Sequence, residues 1–337
     1  MGVSIVDVAA QANVSTATVS RALRGLPRVS ESTRAKVLAT AQSLGYVASP
    51  SASGLASGRT RTVGVLVPFL DRWYFGHVIE GMDQVLRDNG YNLLLFSLGG
   101  YRHGKMRRFT ESMVRKQIDA LVVLTLGLSA EELRQLHRTD IPLLSVGGPV
   151  EGCSGVYIDD GAAATAAVEH LIALGHRRIG YLRAGIQDEK NFEVPALRTI
   201  AFETALAKAG LELRPAWCMV GDFTVAEGQR AAARIFDAPG EQPTAIFSGS
   251  DEMALGLIFE AQRRGIRIPA QLSVVGIDDH EFSASAGLTT VGQKPLEHGK
   301  TAAGMLLAEL VGTPHSLRET LMPFELMVRD TTAPPPR

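Results

Sequence analysis

The chain has 337 residues, 45% of them hydrophobic, and a formal net charge of −1, enough apolar material for at least two cores when domains span about 100 to 200 residues. No apolar run approaches the roughly 18 residues of a membrane span, the start MGVSIVDVAAQ lacks the pattern of a secretion signal, and Cys153 and Cys218 stand far apart in no C-x-x-C arrangement. These features argue against a membrane protein and a disulfide framework, and the expectation is a reduced, cytoplasmic protein. The near-neutral total hides an asymmetry: residues 1–62 carry seven Lys and Arg against Asp7 and Glu31, a net of +5, leaving −6 on the rest. A basic head on an acidic body suits a polyanionic partner for the head alone.

In chain order, Ser4 with Asp7 three residues on opens a short helix near Ile5, and Asn13, tolerant of the left-handed conformation, closes it. Ser15 caps a second helix from Thr16 to about Arg24. Ser30 and Glu31 open a third, with Val37, Leu38, Ala41 and Leu44 as its apolar stripe and Gly45 as its end. Residues 1–46 therefore read as a three-helix head containing a helix-turn-helix. The first turn of the second helix, STATVS, holds poor helix formers but short hydroxyls and a methyl, which let a helix lie close to the floor of a major groove. Ser15, Thr18 and Ser20 suit phosphates, Thr16 and Ala17 offer methyls to thymine, and Arg21, one turn along, suits a fork onto guanine.

Residues 47–62, VASPSASGLASGRTRT, have the composition of a linker. Ser49 and Pro50 make an acceptable helix start, but Gly54 costs about 1 kcal/mol and the segment is too short to be stable alone.

From residue 63 the runs TVGVLVPFL, YNLLLFSL, IDALVVLTL, IPLLSVGG, RRIGYLRA, TAIFSGS and SVVGIDD alternate with amphipathic segments, two of them opened by capping boxes at Ser129–Glu132 and Thr224–Glu227. Apolar strands alternating with helices imply an α/β body with parallel sheets covered on both faces, here two Rossmann-like lobes. Ligands on such sheets bind beyond the carboxyl ends of strands. Polar residues stand there: Asp71, Asp159 and Asp160, Ser250 and Asp251, Asp278 and Asp279. Asp159 and Asp251 also read as helix caps. Carboxylates with Arg198 and the aromatics Trp73, Tyr74, Phe75 and Phe223 describe a pocket for a polyhydroxylated ligand, since carboxylates and Arg grip vicinal hydroxyls and rings pack on sugar faces. Phe223 also admits a core role, and Arg198 a surface ion pair.

No G-x-G-x-x-G follows the first strand, no P-loop is present, and FSGSDE is not a nucleophile elbow. His170 and His176 flank a helix end without ligand spacing. No catalytic residue, metal or cofactor is expected. Three classes compete: a ligand-responsive DNA-binding repressor, a solute receptor, and a sugar- or nucleoside-processing enzyme. The basic head weighs against the second and the missing catalytic constellation against the third.

The stretch SIVDVAAQANVSTATVSRALRG followed by VSESTRAKVLATAQSLGY closely resembles the DNA-binding region of the lactose repressor/galactose repressor (LacI/GalR) family. LGHRRIGYL, SDEMALG, SVVGIDD and LTTVGQ extend the resemblance to its effector domain, which has the fold of periplasmic sugar-binding proteins with three crossovers between lobes. The resemblance implies base reading by Thr16, Ala17 and Arg21, and phosphate contacts by Ser15, Thr18 and Ser20. It also implies a hinge at 47–62 that becomes helical on operator DNA and wedges Leu55 into the minor groove. Arg24 stands where the family usually has Asn, which admits an extra contact. Effector contacts fall on Asp71, Tyr74, Phe75, Asp160, Arg198, Phe223, Ser250 and Asp278, with Trp73 and Gln293 beside them; Gln293 equally suits a lobe crossover. Ser250 replaces the usual Asn or Asp. The implied layout is a head at 1–46, the hinge, and a body at 63–330. Its N-terminal lobe takes about 63–160 and 292–322, its C-terminal lobe about 161–291 and 323–330, and 331–337 form a tail. The implied function is a homodimeric, cytoplasmic regulator, a repressor of a pseudo-palindromic operator, governed by a carbohydrate between the lobes. The ending DTTAPPPR lacks the leucine heptad of tetrameric members, so a dimer is expected.

Overall fold

The computed structural model describes residues 3–46, 59–99, 107–185, 193–312 and 317–336, in two compact units that meet in sequence between Arg61 and Thr62. Leu55 and most of the hinge segment lie outside the described residues.

The first unit contains α1 (Ile5–Ala12), α2 (Thr16–Leu23) and α3 (Glu31–Leu44). Local side-chain caps set their ends. Ser4 and Asp7 exchange bonds as a capping box, Asn13 adopts φ 53° in the left-handed region, and the Ser15 and Ser30 hydroxyls accept from the Thr18 and Thr33 amides at 3.1 and 3.2 Å. Val8, Ala9 and Ala12 of α1, Val19 and Ala22 of α2, and Val37 and Ala41 of α3 meet in one core. The expected stripe on α3 needs one correction. Leu38 is 46% exposed, because it sits about 100° around the helix from Val37, the residue that reaches the core. Arg34 ties α3 to the end of α2, donating to the Ala22 and Leu26 carbonyls at 2.9 and 2.7 Å.

The second unit is built on two six-stranded sheets. In the N-terminal lobe β1 (Thr62–Val67), β2 (Asn92–Ser97), β3 (Ala120–Leu124), β4 (Leu143–Val146) and β5 (Ser154–Tyr157) alternate with α4 (Trp73–Asp88) and α5 (Ala130–His137). The C-terminal lobe holds α6 (Asp160–Ala173), β6 (Ile179–Ala184), α7 (Glu193–Lys208), β7 (Cys218–Gly221), α8 (Val225–Asp237), β8 (Ala245–Ser248), α9 (Asp251–Arg263), β9 (Ser273–Asp278) and β10 (Thr289–Gly292). The chain then returns to the first lobe with α10 (Pro295–Leu310) and β11 (Glu319–Leu321), and ends in the second with β12 (Glu325–Met327). Strand order is β11-β5-β4-β3-β1-β2 in one sheet and β12-β10-β9-β8-β6-β7 in the other. The described pairings are parallel except β10 with β12. The chain thus passes between the lobes after β5, after β10 and after β11. Ser129 and Glu132 exchange both bonds of their capping box. Only half of the second expected box forms: Thr224 accepts from the Glu227 amide, but the Glu227 carboxylate pairs with Arg230 instead.

Residues 331–337, expected to be a tail, begin as part of the lobe. The buried Thr331 hydroxyl donates to the Val274 carbonyl at 2.7 Å, and the buried His176 Nε2 donates to the Ala333 carbonyl at 2.8 Å. His170 bonds Thr332 at 3.0 Å.

Each lobe also contains a helix pair pressed together at glycines. A Cβ on Gly81 of α4 would collide with the Leu296 carbonyl oxygen of α10, and one on Gly299 with that of Val78. Gly228 of α8 and Gly256 of α9 stand in the same relation to the Met253 and Val225 carbonyls. These contacts are backbone on backbone, so no rotamer change relieves them. Gly299→Ala and Gly256→Ala are expected to cost about 1–3 kcal/mol each, read as lower urea midpoints with unchanged slope; unchanged midpoints would show that the helices can part freely.

Candidate functional site

In the first unit the expected base-reading side chains are on the surface. Ser15, Thr16, Ala17 and Arg21 are exposed, while Thr18, Ser20 and Arg24 are half-buried. The Ser15 hydroxyl is occupied in capping and lies 2.9 Å from the Thr18 hydroxyl, so the first turn of α2 is rigid. Arg24 folds back, its Nε donating to the Ser20 carbonyl at 3.2 Å. The Arg21 guanidinium has no partner among the described residues, and the exposed face of α2 offers a cation beside two methyl-bearing residues.

In the second unit a cavity opens between the lobes. Nine of the ten residues expected at an effector site line it: Trp73, Tyr74, Phe75, Asp160, Arg198, Phe223, Ser250, Asp278 and Gln293. Asp71 does not. Its side chain is 45% exposed and pairs at 3.0 Å with Arg72, and it is Arg72 that enters the lining. Sequence reasoning also missed Phe69, Thr125, Gly147, Ile158, Val194 and Glu252. For Thr125 and Gly147 the signal was present, because they follow β3 and β4 at the carboxyl ends where the strand-end rule looks.

Arg198, in α7, is 4% exposed and Asp160, the first residue of α6, is 5% exposed, so the surface ion-pair reading of Arg198 is excluded. Nε and Nη2 converge on Asp160 Oδ1 at 2.8 and 2.6 Å, and Nη1 donates to the Gly249 carbonyl at 2.6 Å. Burial pushes the Asp160 carboxyl upward, with Arg198 opposing it. Burial likewise works against the Arg198 charge, but Asp160 and Asp278 outweigh it. Asp278 ends β9, where Gln293 Nε2 donates to Oδ1 at 2.5 Å and the Asp251 amide donates to Oδ2 at 3.3 Å. Burial and then the neighbouring Asp251 charge drive the Asp278 carboxyl well above the usual range.

Asp251 has a different role from the cap that was expected. Ser250 caps α9 through the Met253 amide. Asp251 is fully buried as the first helical residue and accepts from the His280 amide at 3.0 Å and the Ser283 and Thr290 hydroxyls at 2.6 Å each. It pins the loop after β9 to β10. Asp159 does cap its helix, accepting from the Ala162 amide at 2.8 Å.

Aromatic walls complete the cavity. The Tyr74 hydroxyl lies 3.2 Å from Nδ1 of the fully buried His298, whose pKa burial lowers to about 4. A Cβ at Gly147, which has φ 84°, would strike the Thr125 hydroxyl and come within 2.9 Å of the Tyr74 hydroxyl. Thr125, Phe223 and Asp278 themselves have φ 41°, 65° and 139°. Such strain costs of order 1–3 kcal/mol per residue and gathers at ligand sites. Among the described residues no group of three or more metal-ligating side chains forms, and no helix is long and apolar enough to cross a membrane.

Residues 4–49 match the model of bacterial regulatory proteins of the lacI family, and residues 168–332 that of a periplasmic binding protein-like domain. Catabolite control protein A of Priestia megaterium is 34% identical over 311 residues, 91% of this chain and 92% of its own. The chain belongs to the LacI family. The HTH-type transcriptional repressor CytR of Escherichia coli K12 is 33% identical over 97% of this LacI-family chain and 95% of its own. The lac repressor dimer bound to operator and the anti-inducer ONPF superposes with a TM-score of 0.83 at 25% identity, over 99% of this chain and 100% of the other. These relatives are transcriptional regulators, and the family assignment makes this chain a regulator rather than an enzyme.

Removing Arg198 would leave Asp160 buried without its counter-charge. Arg198→Ala is expected to cost about 3–5 kcal/mol of stability, and Asp160→Ala in the same chain to recover part of it. Urea unfolding checks this; equal stability of Arg198→Ala and the parent would show that solvent reaches the pair.

Proposed function

We propose that the chain is a cytoplasmic, homodimeric repressor that binds a pseudo-palindromic operator through two heads and releases or grips it according to a carbohydrate held between the lobes. The supporting observation is the cavity itself: the Asp160 and Asp278 carboxyls and the Arg198 guanidinium come from the C-terminal lobe, and the rings of Trp73, Tyr74 and Phe75 face them from the N-terminal lobe. A ligand there touches α4 on one side and α6, α7 and α9 on the other, so its affinity depends on how the lobes are arranged, and that difference is what shifts the equilibrium. Relatives point the same way: a regulator named CelR was solved with cellobiose, and superposes with a TM-score of 0.70 at 27% identity. Arg198, Asp160 and Asp278 are assigned to the ligand hydroxyls, Trp73, Tyr74, Phe75 and Phe223 to its faces, and Ser250 and Gln293 to orienting it. In the head, Thr16, Ala17 and Arg21 read bases while Ser15, Thr18 and Ser20 meet phosphates, with Arg24 and Leu55 adding backbone and minor-groove contacts.

Thermal unfolding against a panel of neutral sugars, sugar phosphates and nucleosides tests the effector class, because a ligand at 100 times its dissociation constant adds about 2.7 kcal/mol. A hit confined to neutral sugars is expected; stabilisation by nucleosides alone would overturn the carbohydrate assignment. For the head, Arg21→Ala is expected to cost about 1–3 kcal/mol of preference for an operator selected from random DNA, leaving effector-induced stabilisation unchanged. Unaltered sequence preference in a binding titration at fixed salt would remove Arg21 from base reading.

A further inference from the structure

The cavity does not end at Asp160. Ile158, Asp160 and Val194 line it and also line a groove that continues it between the lobes. One bank of the groove belongs to the N-terminal lobe, with Gly148 and Pro149 after β4, and Glu319 and Leu321 on the edge strand β11. The other bank is the start of α7, through Val194 and Leu197. Leu197 is 41% exposed and Leu321 63% exposed, so each lobe brings an apolar side chain to the groove that a covering ligand would take out of water. The polar groups beside them are acceptors. Asp160 receives Arg198 through Oδ1 alone, and its Oδ2 accepts no hydrogen bond among the described residues. Asp159 uses Oδ1 to cap α6, and Glu319 forms no ion pair among the described residues. No lysine or arginine lines the groove. Carboxylates beside apolar surface, without a cation, suit a neutral ring with hydroxyls on its edge and C–H bonds on its faces, and they repel a phosphate or a second carboxylate.

We propose that this groove is a second sugar subsite, so that the effector is a neutral saccharide of at least two units. One ring lies in the cavity among the aromatic side chains. The next lies in the groove against Leu197 and Leu321, and Asp160 Oδ2 accepts from a hydroxyl at the junction. This rests on reading the cavity as a carbohydrate site, to which it adds the length of the ligand and its lack of charge. The second ring touches both lobes, as the first does, so each unit adds to the dependence of affinity on the lobe arrangement. Gly148 is where the groove can be blocked. A Cβ there meets only Val194 Cγ2, at 3.8 Å, and the φ of Gly148 is not positive, so the backbone accepts a longer side chain, which then enters the groove.

Calorimetry on the full-length protein with cellobiose, maltose, lactose, xylobiose and mannobiose, each set beside its own monosaccharides, tests the proposal. At least one disaccharide is expected to bind about tenfold or more tighter than its monosaccharides, and Gly148→Leu and Leu321→Ala to cut that ratio to about threefold or less. Urea midpoints show whether the variants retain the fold; should Gly148→Leu unfold, Leu321→Ala at its exposed position decides. Monosaccharides binding as tightly as every disaccharide would overturn the second subsite and leave the carbohydrate reading standing. A disaccharide preference untouched by both substitutions would overturn the groove as its location. A phenyl glycoside binding as tightly as the preferred disaccharide would show that the groove takes any apolar group, and would overturn the sugar assignment. Nucleosides binding where no saccharide does would overturn the subsite together with the carbohydrate reading.

Discussion

The interaction on which the body depends is the buried union of the Arg198 guanidinium with Asp160 and the Gly249 carbonyl. It joins α7, the start of α6 and the turn between β8 and α9, adding a buried polar tie to the apolar packing of α6 on α7. It also sets the electrostatics. With the only deeply buried guanidinium of the lining bound to Asp160, the half-buried Asp278 carboxyl has Gln293 and a backbone amide as its hydrogen-bond donors. The cavity is consequently poor in free positive charge and rich in acceptors, a composition that favours hydroxyl donors over phosphates.

The head and the cavity solve opposite problems. On α2 the useful groups are few and held outward by a core of small residues, Val8, Ala9, Ala12, Val19 and Ala22, which lets the helices pack closely and leaves a narrow unit to enter a groove. In the cavity the useful groups are buried and over-determined. Strained backbone at Phe223 and Asp278 is maintained by the sheet ends around it, and Asp251 holds the loop beyond β9 with three hydrogen bonds.

The parts of this arrangement that could be read from the sequence are those specified by near neighbours. Ser4, Asn13, Ser15, Ser30 and Gly45 each act within about four residues, so the helix ends of the head follow from local chemistry. The central strands read as apolar runs because both their faces are covered. β7, β10, β11 and β12 are three or four residues long, the last three rich in Thr or Glu, and they exist only because a partner strand supplies their hydrogen bonds. The strand-end rule found Asp160, Ser250 and Asp278 but could not separate Asp71 from Arg72, since which of two adjacent side chains turns inward is settled by the entry angle of α4.

The last strands have a consequence for how the protein is made. β11 completes the first sheet by pairing with β5, and β12 completes the second by pairing with β10, although both are drawn from one short stretch, residues 319–327. Neither lobe can finish its sheet while that segment is still inside the ribosome. The growing chain therefore exposes two open sheet edges until residues 319–327 have emerged, and a protease that cuts ahead of Glu319 uncovers both at once.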